Sequence, residues 1–317
     1  MNLITENTQT RMAVLSVLFV LIAVAVSPAT VKSIGDINVE AGPYQVQIRD
    51  CDEIWMVSTR ELCPTAFSPE DFQVMQLMTG VWHQTEVQSL LSAHQTGTDR
   101  STIVYVHGYR QNFYWARRRG LEVYEDLVTK SSDCPPIRYI IWVWPSEDNN
   151  RPVENYKRSL QRSLDEGNVF AWFLARAGDP DRIGVLAYSL GVQVSLRAFE
   201  HCHVSYQSEP GIRLATVASV TSCKWPFCSQ QVSNSYAMIG KAIVVRNQLD
   251  YAVKFYRTGC GVVSHSKTLG IEHLQKHDYE NKFRCIDAAP LVDREHQIHD
   301  YVRHQSITDA ILDTLIR

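Results

Sequence analysis

The 317-residue chain lacks any excess of one charge: 31 Lys and Arg stand against 34 Asp and Glu, a formal net charge of -3. That balance gives no global electrostatic case for nucleic acid or an anionic membrane as partner. From about Ser33 onward there is no low-complexity linker, no charge block and no internal repeat, which excludes disordered and solenoid classes. No two close-spaced C-x-x-C pairs and no H-E-x-x-H occur, so neither a zinc ribbon nor a zincin is indicated. Residues 13–26 form an uncharged apolar run of fourteen. A bilayer-spanning helix needs roughly twenty. No Cys follows that run, which leaves a lipoprotein anchor unsupported.

What the run does suit is the core of a signal peptide. Arg11 precedes it, and Ala23-Val24-Ala25 and Ser27-Pro28-Ala29 offer small-residue cleavage points. Residues 1–29 are therefore expected to direct export, to a periplasmic or extracellular location, with an uncleaved membrane anchor as the rival. Eight cysteines fit an oxidising destination and suffice for four disulfides. Cys51 with Cys63 and Cys223 with Cys228 are the local pairs expected first. Residues 33–317 read as one domain.

At 45% hydrophobic and 21% charged residues, that domain can bury a large core. Continuous apolar runs at 102–106, 137–144 and 182–187 have the pattern of strands covered on both faces. Further strands are expected at 53–59, 71–78, 212–220, 242–245 and 283–286. Helical spacing of apolar residues falls between them, at 113–129, 156–177, 190–200 and 304–316. The alternation implies an α/β fold with a mainly parallel sheet and helices on both faces.

Ala187-Tyr188-Ser189-Leu190-Gly191 lies between an expected strand and an expected helix. A Ser on such a tight turn has its Oγ exposed above the sheet edge, and small flanking residues prevent clashes. The Leu190 N–H then points to where an oxyanion would develop. His107-Gly108-Tyr109 ends an upstream strand, and the Tyr109 N–H is the second candidate donor. His107 itself is expected to pack or hydrogen-bond within that loop. Asp250 follows the strand at 242–245 and holds the middle place in the order Ser, acid, His; Asp278 and Asp287 are alternatives. Near the C-terminus His296 and His299 both qualify by position as the base.

The segments Trp55-Met56-Val57-Ser58-Thr59-Arg60, Val106-His107-Gly108-Tyr109-Arg110-Gln111-Asn112, Trp144-Pro145-Ser146, the Ser189 turn and a late His-x-Tyr carry a family resemblance. Over roughly residues 54–315 the chain resembles an α/β-hydrolase family labelled as a domain of unknown function. That family is often bacterial and is distantly related to lipases and esterases. Tyr188 stands where the family usually has His, Leu190 where it has Met, and Arg110 where it has Asn. The resemblance implies the α/β-hydrolase fold and a triad of Ser189, Asp250 and His299. His299 is chosen over His296 because it alone precedes x-Tyr301.

Other features have blander readings. Arg117-Arg118-Arg119 is expected to be a solvated helix face. His273 and His277 lack a third metal ligand, and His201-Cys202-His203 reads as a helix end. The aromatics around residues 112–115 suit either an acyl pocket or core. No long apolar lid insertion is present, which disfavours an interfacial lipase. The expected function is a carboxylic-ester hydrolase working through an acyl-enzyme on a small-molecule ester, with no metal or organic cofactor. An amidase or thioesterase using the same triad, or a non-catalytic binding protein of this fold, is the alternative.

Overall fold

The computed structural model describes residues 46–95, 100–129, 131, 134–146, 152–202, 211–220, 237–253 and 282–316. The expected signal segment and Cys223, Cys228, Cys260, His203, His273, His277 and Asp278 lie outside them. Strands β1 (Glu53–Ser58), β2 (Gln73–Met78), β3 (Val81–Thr85), β4 (Ser101–Val106) and β5 (Ile137–Val143) open the chain. They are followed by β6 (Ile183–Tyr188), β7 (Ile212–Val217), β8 (Ile239–Arg246) and β9 (Phe283–Asp287). The nine strands make one sheet in the order β3-β2-β1-β5-β4-β6-β7-β8-β9. All neighbours are parallel except β2, which runs antiparallel to both β1 and β3.

The apolar runs take the centre of this sheet because they are covered on both faces; every residue of β5 and of β6 is buried. Alternate residues serve opposite layers, as the two-residue strand period requires. Ile140 and Trp142 of β5 face a layer containing helices α1 (Val87–Gln95), α3 (Pro152–Leu174) and α4 (Gly191–Cys202). Tyr139, Ile141 and Val143 face the other layer, with α2 (Phe113–Val128), the short α5 (Ala289–Val292) and α6 (Ile298–Val302), and α7 (Gln305–Ile316). Two glycines set how closely helices approach. A Cβ at Gly120 of α2 would lie 2.6 Å from Ile141, and one at Gly167 of α3 would lie 2.5 Å from Arg197 of α4.

Four elements were not expected: β3, α1 and the short helices α5 and α6. The edge strand β3 reads VWHQT, too polar to resemble a buried strand, and only pairing with β2 defines it. The hairpin closes through Thr79 and Gly80, both at positive φ (49° and 81°), the backbone of a tight type I′ turn. Helix α1 follows it directly and buries Val87, Leu90 and Leu91.

The expected Cys51–Cys63 disulfide does not form; both are exposed free thiols. Strand β1 and the turn at Thr59–Leu62 lie between them. Cys51 Sγ instead lies 3.7 Å from Asp52 Oδ1, and Cys63 Sγ lies 3.4 Å from Thr65 Oγ1. Cys202 and Cys285 are likewise free.

Candidate active site

The parallel strands β4, β6 and β8 end at one edge of the sheet, the edge where a doubly covered sheet offers a crevice. β6 stops at Tyr188 and α4 starts at Gly191, so the reversal is compressed into Ser189 and Leu190. Ser189 carries the strain of that turn, with φ at +53°. Its N–H donates to Val217 O at 2.9 Å, which ties the turn to the end of β7. Gly191 is required because a Cβ there would sit 2.3 Å from Val106 O and 2.6 Å from His107 O. Gly108 is required for the same reason on the other side: its Cβ would lie 2.9 Å from Ser189 Cβ. The loop after β4 and the serine turn thus pass each other backbone to backbone.

Asp250 follows β8 and starts a helical turn. Its Oδ1 accepts from Ala252 N at 2.9 Å and Val253 N at 3.0 Å, so the carboxylate is fixed by its own turn. Its Oδ2 lies 2.6 Å from His296 Nδ1, and His296 Nε2 lies 3.1 Å from Ser189 Oγ. With Nδ1–H donating to the carboxylate, Nε2 carries the lone pair that faces the serine hydroxyl. All three side chains are buried.

His299, expected in this place, is not there. It lies one helical turn further on, in α6, where its Nδ1 meets Arg119 Nη1 of α2 and its Nε2 lies 3.6 Å from Asp300. His296 precedes the helix, on a stretch of chain that turns sharply at Asp293 (φ +54°). Asn247 holds that stretch by donating Nδ2 to Asp293 O at 2.6 Å and to Glu295 O at 3.4 Å. Tyr188 holds its end: the hydroxyl donates to His296 O at 3.0 Å. Burial drives the Tyr188 phenol well above its ordinary pKa, so it stays a donor. Asp287, an alternative acid, is exposed and accepts from Ala289 N instead.

The loop bearing Tyr109 is braced from behind. His107 is completely buried and stacked on Trp144, and burial pushes its pKa down to about 3, so the ring is neutral. One ring nitrogen, Nδ1, lies 2.9 Å from Gly108 O, while Nε2 accepts from Trp144 N at 3.2 Å. Both nitrogens being engaged, His107 is a brace and not a free base. Arg110 sits at φ +62° with its N–H donating to Ser146 O at 2.9 Å. Arg60 Nη1 donates to Gln111 O and Trp144 O, both at 3.2 Å. The Trp144-Pro145-Ser146 and Arg60 segments of the sequence thereby converge on one loop. Tyr109 packs edge-on to Tyr156 of α3, and Leu190 is buried at the head of α4.

The triple arginine is only partly the solvated face expected: Arg118 is solvated, whereas Arg117 is buried. Arg117 is largely buried near the Tyr114 ring, Arg118 lies over Trp115 and pairs with Glu122, and Arg119 joins His299 and Glu122. Tyr114 and Trp115 themselves are exposed at the start of α2. Among the described residues no cluster of three His, Cys, Asp or Glu side chains is placed to hold a metal ion.

Sequence reasoning missed Tyr188, Asn247 and Tyr301 as partners of the Ser–His–Asp set. Only Tyr301 had left a signal, the late His-x-Tyr. No curated protein matches the chain. Residues 83–220 match the model of a family described as alpha/beta hydrolase of unknown function (DUF900).

Proposed function

We propose that the chain catalyses serine-dependent hydrolysis of a carboxylic ester, a reading that its likeness to an alpha/beta hydrolase family over residues 83–220 supports. Ser189 acts as nucleophile, His296 as base and then acid, and Asp250 as the group that orients the imidazole. The observation that carries this reading is the continuous relay from Ser189 Oγ through His296 to Asp250, at 3.1 and 2.6 Å.

Ser189 Oγ attacks the carbonyl carbon while its proton passes to His296 Nε2. The C–O bond to the leaving alcohol then breaks, His296 returns the proton to that alcohol, and an acyl-serine remains. Water attacks the acyl carbon by the same proton relay, releasing the acid and restoring Ser189. In this reading the N–H groups of Leu190 and Tyr109 receive the oxyanion, each worth on the order of 3 kcal/mol of barrier. The positive φ of Ser189 supports this, because a strained strand-to-helix turn is the backbone that a nucleophile elbow requires. The reading invokes no metal and no organic cofactor, and its substrate is a small-molecule ester.

We also propose that the chain is exported; the apolar run at residues 13–26 supports a cleaved signal, with an uncleaved anchor as the alternative. The reading is tested by rapid mixing with p-nitrophenyl esters of increasing acyl length. It calls for a burst of p-nitrophenol equal to the enzyme concentration, followed by slower turnover. Hydrolysis of anilides or thioesters in preference to every ester would move the substrate class, and no burst with any of them would sink the acyl-enzyme.

A further inference from the structure

Tyr301 is buried in α6 with its hydroxyl 3.2 Å from Asp250 Oδ2, the same oxygen that meets His296 Nδ1. Among the described residues its other acceptor is Glu295 O at 3.3 Å, a neutral carbonyl. One proton serves two acceptors, and the carboxylate is the stronger of them. We propose that Tyr301 is a positioning residue for the acid: its hydroxyl shares Asp250 Oδ2 with His296 and limits the negative charge that faces the imidazole. The inference deepens the reading of Ser189, His296 and Asp250 as a triad, and rests on it.

Four donors converge on Asp250. Ala252 and Val253 hold Oδ1, and His296 and Tyr301 hold Oδ2. Removing one donor from Oδ2 leaves the carboxylate in place, because its other oxygen remains held by two backbone N–H groups. What changes is electrostatic. A hydrogen bond donated to a carboxylate stabilises and partly neutralises the anion. Without it, Asp250 favours a protonated His296 more strongly, and the base becomes harder to deprotonate. Burial keeps the Tyr301 phenol far above its ordinary pKa, so it remains a donor over the whole working range. Other charged or titratable groups around this pair include Asp300 on α6, Glu295 ahead of it, Tyr251 next to Asp250, Arg119 on α2 and Tyr188 at the end of β6, and the substitution leaves each of these side chains in place. The geometry also reassigns the His-x-Tyr signal: Tyr301 reaches the acid, while His299, two residues earlier, reaches α2.

The test is Tyr301→Phe in the full chain, read by NMR titration of histidine rings, with the His296 signal assigned by its loss in His296→Asn. The His296 midpoint is expected to rise by about half to one pH unit. The acidic limb of kcat/KM should move with it, so that rates below the midpoint fall about three- to tenfold while the plateau above it changes little. A lowered melting temperature with an unmoved midpoint would reduce Tyr301 to a packing residue and overturn the proposal. Should the Phe variant fail to fold, 3-fluorotyrosine at position 301 keeps the shape and strengthens the donor. It must then shift the midpoint downward, and no shift refutes the idea. Because the titration needs no substrate, it judges Tyr301 even if the wild type hydrolyses nothing, an outcome that would sink the hydrolase reading alone.

Discussion

Glu166 offers the most quantitative check on the core beside this site. It lies on α3, nearly without solvent contact, and its Oε1 accepts from Thr59 Oγ1 and Trp142 Nε1, both at 2.8 Å. Burial outweighs those two donors and lifts the carboxyl pKa from its ordinary 4.5 to about 8. The unfolded chain therefore gives up this proton at lower pH than the native protein does. Stability is complete below about pH 4.5, declines as pH rises, and has lost the whole contribution once pH passes 8. The gap between 4.5 and about 8 corresponds to on the order of 5 kcal/mol. Glu166→Gln keeps the acceptor for Thr59 and Trp142 and removes the titration. Between pH 5 and pH 8 the wild type should lose roughly 3 to 4 kcal/mol relative to the variant. In a domain of this size that is about 10 °C in melting temperature. Thermal unfolding of both proteins at one-unit steps from pH 5 to pH 9 reads the difference directly. Parallel curves for wild type and variant would refute the claim that Glu166 is held as a neutral acid.

Three further outcomes follow from the geometry. His296→Ala should reduce kcat about 10⁴-fold or more, whereas His299→Ala should leave it within about threefold, as steady-state kinetics on the two variants would show. Gly191→Ala forces a methyl against the carbonyls of Val106 and His107. It should cost about 2 to 4 kcal/mol in urea unfolding and abolish ester turnover in whatever folds. Cys63 is exposed, and its neighbour Thr65 holds the thiol below its ordinary pKa, while burial pushes Cys202 up to about 12. Brief iodoacetamide treatment of the native protein, mapped by mass spectrometry, should mark Cys63 and leave Cys202 untouched.

The centre of the sheet was legible because strands buried on both faces must be largely apolar, and 102–106, 137–144 and 182–187 are, with the one buried charge in β5, Arg138, paired to Glu53. The edge was not, because Val81–Thr85 owes its strand conformation to β2 and to a two-residue turn. Ser189 could be read from local chemistry alone: a Ser between small residues, at a strand-to-helix junction, needs no distant partner to be recognised. The choice of histidine could not. His296 and His299 are three residues apart, and what separates them is the turn at Asp293, held by Asn247 from β8's end and by Tyr188 from β6's end. Those contacts span dozens of residues, and no local pattern records them. The Tyr301 signal was real but pointed past its neighbour to Asp250.

The most direct test of the central claim is labelling of the purified protein with a fluorophosphonate probe. A single adduct on the peptide containing Ser189, absent in Ser189→Ala and in His296→Ala but retained in His299→Ala, is the predicted result. Wild-type protein that takes no label, or takes it equally after Ser189→Ala, would contradict the account.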